Sequence, residues 1–154
     1  MPDPGRRVAQ FSRAGNYGAI WFALGATMSV LGPADRRPVW RAATGRVAAA
    51  YAMNTTLKLV VRRRRPAGGL VSTPTQLSFP SAHAATSFAG ARAYSRAGGP
   101  ATALYALALG LALSRLRLGV HHRSDVVAGA VLGMLVGGTG PTAAAGAPGK
   151  GSGR

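Results

Sequence analysis

Two histidines and one aspartate give this chain its most reactive groups. His121 and Asp125 stand four residues apart, the spacing at which one helical turn lets a carboxylate hold one imidazole nitrogen while the other stays free to attack. The pair has a plainer meaning too, a salt bridge between Asp125 and neighbouring Arg123. A second cluster, Pro80-Ser81-Ala82-His83, falls where a loop enters a helix. A helix start offers free N–H groups and positive potential, so Ser81 and the amides after it can cradle a phosphate with His83 beside them as proton donor. Simple N-capping by Ser81, with a surface histidine, fits the same residues. Lys58 and Arg65 are seven apart, two turns along one helix face, and can present two cations to one anion. Arg62 shares that face, whereas Arg63 and Arg64 point elsewhere; a basic helix end snorkelling to an interface would look alike.

In chain order these clusters are Lys58, six residues, Arg65-Pro66; then Pro80-Ser81-Ala82-His83; then Ser114-Arg115, five residues, His121, three residues, Asp125. That order and spacing resembles the three-part signature of the type 2 phosphatidic acid phosphatase family, which shares its active site with vanadium haloperoxidases and bacterial class A acid phosphatases. The likeness spans residues 58–125. It implies His121 as the nucleophile that takes the phosphoryl group, Asp125 as the group that orients and charges its ring, and His83 as the acid that protonates the leaving alkoxide. It also implies Lys58, Arg65, Ser81, the Ala82 amide and Arg115 as phosphate ligands, gathering the charge of a five-coordinate transition state without a metal. His122 matches no functional position. Ala82 stands where the family usually has Gly, which keeps the amide donor but adds a methyl where backbone approaches phosphate.

Composition narrows the chemistry independently. The 154 residues fit one domain. Nineteen Lys and Arg against three Asp and no Glu give +16, so an anionic partner is expected: phosphate, nucleic acid or acidic lipid. Three Asp spread along the chain argue against a carboxylate pair or a two-metal site, and no metal or other cofactor is expected. Without Cys there is no thiolate zinc site, disulfide or cysteine nucleophile.

Charged residues make up 14% and apolar ones 47%, with the charges bunched, although the mean hydropathy is only +0.14. Residues 14–34 are 21 uncharged residues, close to the ~20 that cross a hydrocarbon core. They read as a retained anchor, followed by helices over about 41–65, 83–97, 101–117 and from 123 to before Pro141. The expected fold is all-α, a membrane helical bundle of about five helices with the active site at one end. Its divisions are a basic flexible N-terminus over 1–13, a phosphatase domain over 14–140 and a disordered Gly/Ala/Pro tail over 141–154. Small residues at every fourth position, Ala106, Gly110 and Ser114, then Gly129, Gly133 and Gly137, predict that the last two helices pack together.

The function expected is an integral-membrane, metal-independent phosphatase acting on a lipid phosphate or pyrophosphate through a phosphohistidine. Its partners would be a lipid phosphate substrate and the membrane. It would be multi-pass in the cell membrane, and the resemblance favours an extracytoplasmic site. A class A-like phosphatase of small esters would share the same residues. A basic protein binding nucleic acid or acidic lipid through 62–65 would need neither His121 and Asp125 at that spacing nor an uncharged anchor, so no nucleic-acid partner is expected.

Overall fold

Helices made largely of Ala, Gly and Ser can approach one another closely, and this fold uses that freedom around one central helix. The structure, a computed structural model, describes residues 4–140. The tail over 141–154 therefore lies outside the described residues. Helix α1 (Pro4–Arg13) leads through a short 3₁₀ turn (Asn16–Gly18) into α2 (Ala19–Leu31), then α3 (Arg37–Val61), α4 (Ala82–Arg96), α5 (Ala101–Arg117) and α6 (Arg123–Gly137). Among the described residues there is no extended strand, only an isolated antiparallel bridge between Arg64 and Leu77.

The centre is α4. His83 through Ser87 and Ala89 through Ala91 are buried, as are Ala93 and Tyr94, so the helix meets neighbours on most of its faces. Trp21 of α2 and Trp40 of α3 flank Tyr94, with ring centroids 6.1 and 5.0 Å away. The polar atoms of Trp21 and Tyr94 are matched inside the core: Trp21 Nε1 donates to Ser87 Oγ at 3.0 Å, and Tyr94 Oη donates to the Trp21 carbonyl at 2.7 Å. The small-residue stripe of α6 lies on α4 rather than on α5. A Cβ at Gly129, Gly133 or Gly137 would run into the backbone of Ser81, Ala85 or Ala89. On α5, Gly110 instead faces Phe11 of α1, and Ala106 is exposed. The periodicity marks a close approach correctly but does not say which helix makes it.

The expectation of a membrane bundle is overturned. Among the described residues no helix is long and apolar enough to cross a membrane. The presumed anchor over 14–34 is interrupted by left-handed backbone at Tyr17 and Gly18, with φ of 54° and 72°, and leaves 13 helical residues in α2. At 1.5 Å per residue that is ~20 Å, against a hydrocarbon core of ~30 Å. The 17 residues of α5 reach only ~25 Å. Helix α3 has the length, with 25 residues, but carries Arg41, Arg46 and Lys58 along it. The multi-pass placement in a cell membrane, the membrane as partner and the extracytoplasmic site lose their basis with the spans.

The N-terminal segment also differs from the reading of 1–13 as flexible. Pro4–Arg13 is helical, with Phe11 against Gly110 and Ser12 buried. Docking on α5 supplies what so short a helix lacks alone.

Candidate active site

The end of α3, the start of α4, the end of α5 and the start of α6 meet at one end of the bundle. There Lys58, Arg65, Ala82, His83, Arg115 and His121 all line a cavity of about 500 Å³. Ser81 and Asp125 are fully buried and do not line it. Ser81 caps α4, its hydroxyl accepting from the Ala84 amide at 3.5 Å, and its own N–H donates to the Asp125 carbonyl at 2.9 Å. The capping role is thus what its side chain performs, and it also ties the start of α4 to the start of α6.

Arg65 reaches the cavity by a route that helical spacing does not give. Helix α3 ends at Val61, and Arg62 turns the chain with φ of 53°. The loop then pairs with residues 76–78, the Arg65 amide donating to the Gln76 carbonyl at 3.1 Å. Arg65 Nε donates to the Thr75 carbonyl at 2.8 Å, and Nη1 donates to the Val120 carbonyl at 2.8 Å and to His121 Nε2 at 2.9 Å. Lys58 Nζ donates to the carbonyls of Pro80 at 2.9 Å and Leu77 at 3.2 Å, fixing the loop that enters α4.

A guanidinium has no acceptor, so His121 Nε2 accepts and the neutral ring carries its proton at Nδ1. Nδ1 faces Asp125 Oδ2 at 3.5 Å, a close polar contact beyond the length of a good hydrogen bond. Asp125 is held on both oxygens: Oδ2 accepts from the His122 amide at 2.8 Å, and Oδ1 pairs with Arg63 Nη1 at 3.1 Å. Arg63, which helical projection turned away from the site, is therefore the cation opposite the buried carboxylate, and Arg123 is not.

Charge in this pocket is almost all of one sign. Burial, then Arg65, lowers the Lys58 pKa to about 8, and burial and Arg65 lower that of Arg115 to about 10. His83 is lowered to about 4 by burial and Arg115, and His121 to about 2 by burial, Arg65, Arg115 and Lys58. Both rings are neutral at pH 7, and a phosphate dianion entering among these cations would relieve their mutual repulsion. Among the described residues no three His, Cys, Asp or Glu side chains gather where a metal could be held.

Three contributors went unseen in the sequence. Ser12 of α1 contacts both His83 and Arg115. Arg63 holds Asp125. Asn54, one turn before Lys58 on the same face of α3, lines the cavity and donates from Nδ2 to the Pro80 carbonyl at 3.1 Å. Only Asn54 left a legible signal, its four-residue spacing from Lys58.

The family model of the PAP2 superfamily matches residues 39–144 of this chain. The chain belongs to that family and is a phosphoric-ester hydrolase. It is 44% identical over 123 residues to the decaprenylphosphoryl-5-phosphoribose phosphatase of Mycolicibacterium smegmatis, covering 77% of this chain and 67% of that protein. It is 38% identical over 130 residues to the Mycobacterium tuberculosis protein of the same name, covering 82% of this chain and 72% of the relative. The fold is similar to a crystal structure described as the first transmembrane PAP2 type phosphatidylglycerolphosphate phosphatase, from Bacillus subtilis. There the TM-score is 0.67 at 19% identity, over 88% of this chain and 74% of that one.

Proposed function

We propose that this hydrolase removes the phosphate monoester from a prenylphosphoryl phosphoribose, the kind of substrate in its relatives' name, through a phosphorylated His121. The observation that carries the chemistry is the setting of His121: Nε2 an acceptor at the wall of a cation-lined cavity, Nδ1 turned to a buried carboxylate. Binding of the phosphate dianion offsets the cations that lower the His83 pKa, so Nδ1 of that ring takes up a proton with the substrate, while Arg65 turns its Nη1 donation from His121 Nε2 to a phosphate oxygen. In the first step the freed Nε2 attacks phosphorus, a P–N bond forms, the P–O bond to the sugar breaks, and protonated His83 gives its Nδ1 proton to the departing alkoxide. In the second step water attacks phosphorus, His83 takes the water's proton, and the P–N bond breaks to release inorganic phosphate.

Asp125 stabilises the imidazole while it carries phosphorus. Lys58, Arg65 and Arg115 bear on the equatorial oxygens, where charge develops, and the Ala82 amide at the start of α4 adds a donor. For the sugar, the rest of the cavity wall supports the assignment. It is neutral and hydrogen-bonding, with Asn54, Thr55, Ser72, Thr73 and Thr75 suited to hydroxyl groups.

The experiment is phosphate release from a short-chain prenylphosphoryl-5-phosphoribose, beside ribose 5-phosphate and a phosphatidic acid, with chelator present. Turnover of the first that survives chelator, is blocked by vanadate and disappears in His121→Ala is the expected result. Undiminished release by His121→Ala overturns the mechanism. Equal turnover of free ribose 5-phosphate moves the substrate to small phosphate esters.

A further inference from the structure

Helix α1 precedes residues 39–144, the part of the chain that matches the family model, yet its last turn touches two members of the site. Ser12 is only 1% exposed. Its hydroxyl oxygen accepts from Arg115 Nη1 at 2.7 Å, and its carbonyl accepts from His83 Nε2 at 3.0 Å. These partners lie 103 and 71 residues away in sequence, so both bonds are tertiary. Three residues on, a Cβ at Gly15 would meet the His83 ring at 2.6 Å. The end of α1 is therefore fitted closely to the ring.

Each bond constrains something the chemistry needs. A guanidinium on a flexible stem meets an oxyanion squarely only when its plane is fixed. Held at Nη1 by Ser12, Arg115 keeps Nε buried and without a hydrogen-bond partner among the described residues, a donor still to be used. On the other side, a carbonyl can only accept. His83 Nε2 therefore carries a hydrogen in the neutral ring, and Nδ1 is the nitrogen that gains and loses the proton.

We propose that Ser12 is a positioning residue of this active site, its hydroxyl fixing the plane of Arg115 and its carbonyl fixing the tautomer of His83. What those two residues then do rests on the phosphohistidine chemistry proposed above. The hydroxyl arm is read by Ser12→Ala, and by Ser12→Cys, which keeps the volume with a much weaker acceptor. Titration of inorganic phosphate onto each protein by calorimetry, and vanadate inhibition, are expected to weaken about tenfold, the loss of one charge-assisted hydrogen bond. KM should rise by a similar factor with kcat changed less, and the limb of the pH profile belonging to His83 should stay in place.

In an Arg115→Ala background, Ser12→Ala should add almost nothing, whereas a merely structural role would remain additive. The carbonyl arm is read by nitrogen NMR of the wild-type histidines, where His83 should show the Nε2–H tautomer. Unchanged phosphate affinity in a folded Ser12 variant, additivity with Arg115→Ala, or an Nδ1–H tautomer at His83 each overturn the proposal. Phosphate binding needs no turnover, so such a failure leaves the P–N chemistry standing. An active His121→Ala enzyme would sink that chemistry without touching Ser12.

Discussion

Arg65 Nη1 stands 2.9 Å from His121 Nε2, and this contact decides the protonation of the ring. The donor holds the lone pair that would attack phosphorus, while burial and the charges of Arg65, Arg115 and Lys58 push the pKa to about 2. His121 should therefore give no NMR titration between pH 8 and pH 4. Removing the nearest cation raises the pKa, so Arg65→Gln should restore a titration towards the ordinary range. Arg65 is also a ligand for the phosphate, and its loss should lower kcat/KM by ~10²-fold or more. A His121 that titrates near 6 in the wild type would contradict the arrangement.

Stability should follow pH for the same reason. His83, lowered to about 4, and His121, lowered to about 2, bind fewer protons folded than unfolded over the acid range. Their contribution is fully present above the unfolded pKa of about 6.5 and is lost as the pH falls through it towards the folded values. His83 alone represents on the order of 3 kcal/mol between pH 6.5 and pH 4. Urea midpoints at pH 7 and pH 4.5 measure this, and equal midpoints would count against neutral buried rings.

Arg63 tests the support behind the nucleophile. Its side chain is 39% exposed, so the ion pair with Asp125 is screened and contributes roughly 1 kcal/mol or less to stability. Its effect on rate should be larger, because it also donates to Ser124 Oγ at 2.7 Å and fixes the carboxylate that faces His121 Nδ1. Arg63→Ala should lower kcat about tenfold with KM little changed, and Arg63→Lys should recover part of it. Asp125→Asn should cost ~10³-fold or more, since the ring then loses its charge partner. If Arg63→Ala acts on KM alone, Arg63 belongs with the phosphate ligands instead.

These same residues show what the sequence could and could not reveal. Some helix bounds were legible: residues 101–117 are the bounds of α5, and α4 and α6 begin within a residue of their expected starts, whereas the helix expected over about 41–65 runs Arg37–Val61, ending four residues short of the place Pro66 suggests. Uncharged length was misleading. Residues 14–34 lack charge, but the left-handed Tyr17 and Gly18 split them, a backbone event that no hydropathy window registers. Arg63 was misplaced because projection assumed that α3 ran on to Arg65, whereas Arg62 ends the helix and rotates everything after it. Ser12 left no trace, because its value comes from contacts 71 and 103 residues away. The glycine period on α6 announced a tight interface, but small residues recognise any backbone, and α4 is smaller still.

Two glycines separate packing from propensity. At Gly133 a Cβ would collide with the backbone of Ala85 and Ala89, neither of which can rotate away. Gly133→Ala should push α6 from α4 and destabilise by about 1–3 kcal/mol, with Asp125 displaced and activity reduced. Gly45 lies exposed within α3 with nothing within 4 Å of the added atom. Gly45→Ala should stabilise by about 0.5–1 kcal/mol with kcat/KM unchanged. Denaturation curves on the two proteins are the measurement, and a Gly133→Ala as stable as wild type would mean that the helices can part without cost.

Lys58 supplies the alkaline side of the profile. Burial, with Arg65 nearby, brings its pKa down to about 8, so the ammonium loses its proton as the pH rises through that value. Each deprotonation removes a charge from the phosphate cluster and weakens the donation to the Pro80 and Leu77 carbonyls that holds the loop leading into α4. In the free enzyme kcat/KM should therefore fall above about pH 8. Lys58→Met should lower kcat/KM by roughly 10²-fold at pH 7, through a lost cation and two carbonyls left without their donor. Lys58→Arg keeps the charge at every accessible pH, so whatever activity it retains should lose the alkaline limb. A limb that persists unchanged in Lys58→Arg assigns it to another group.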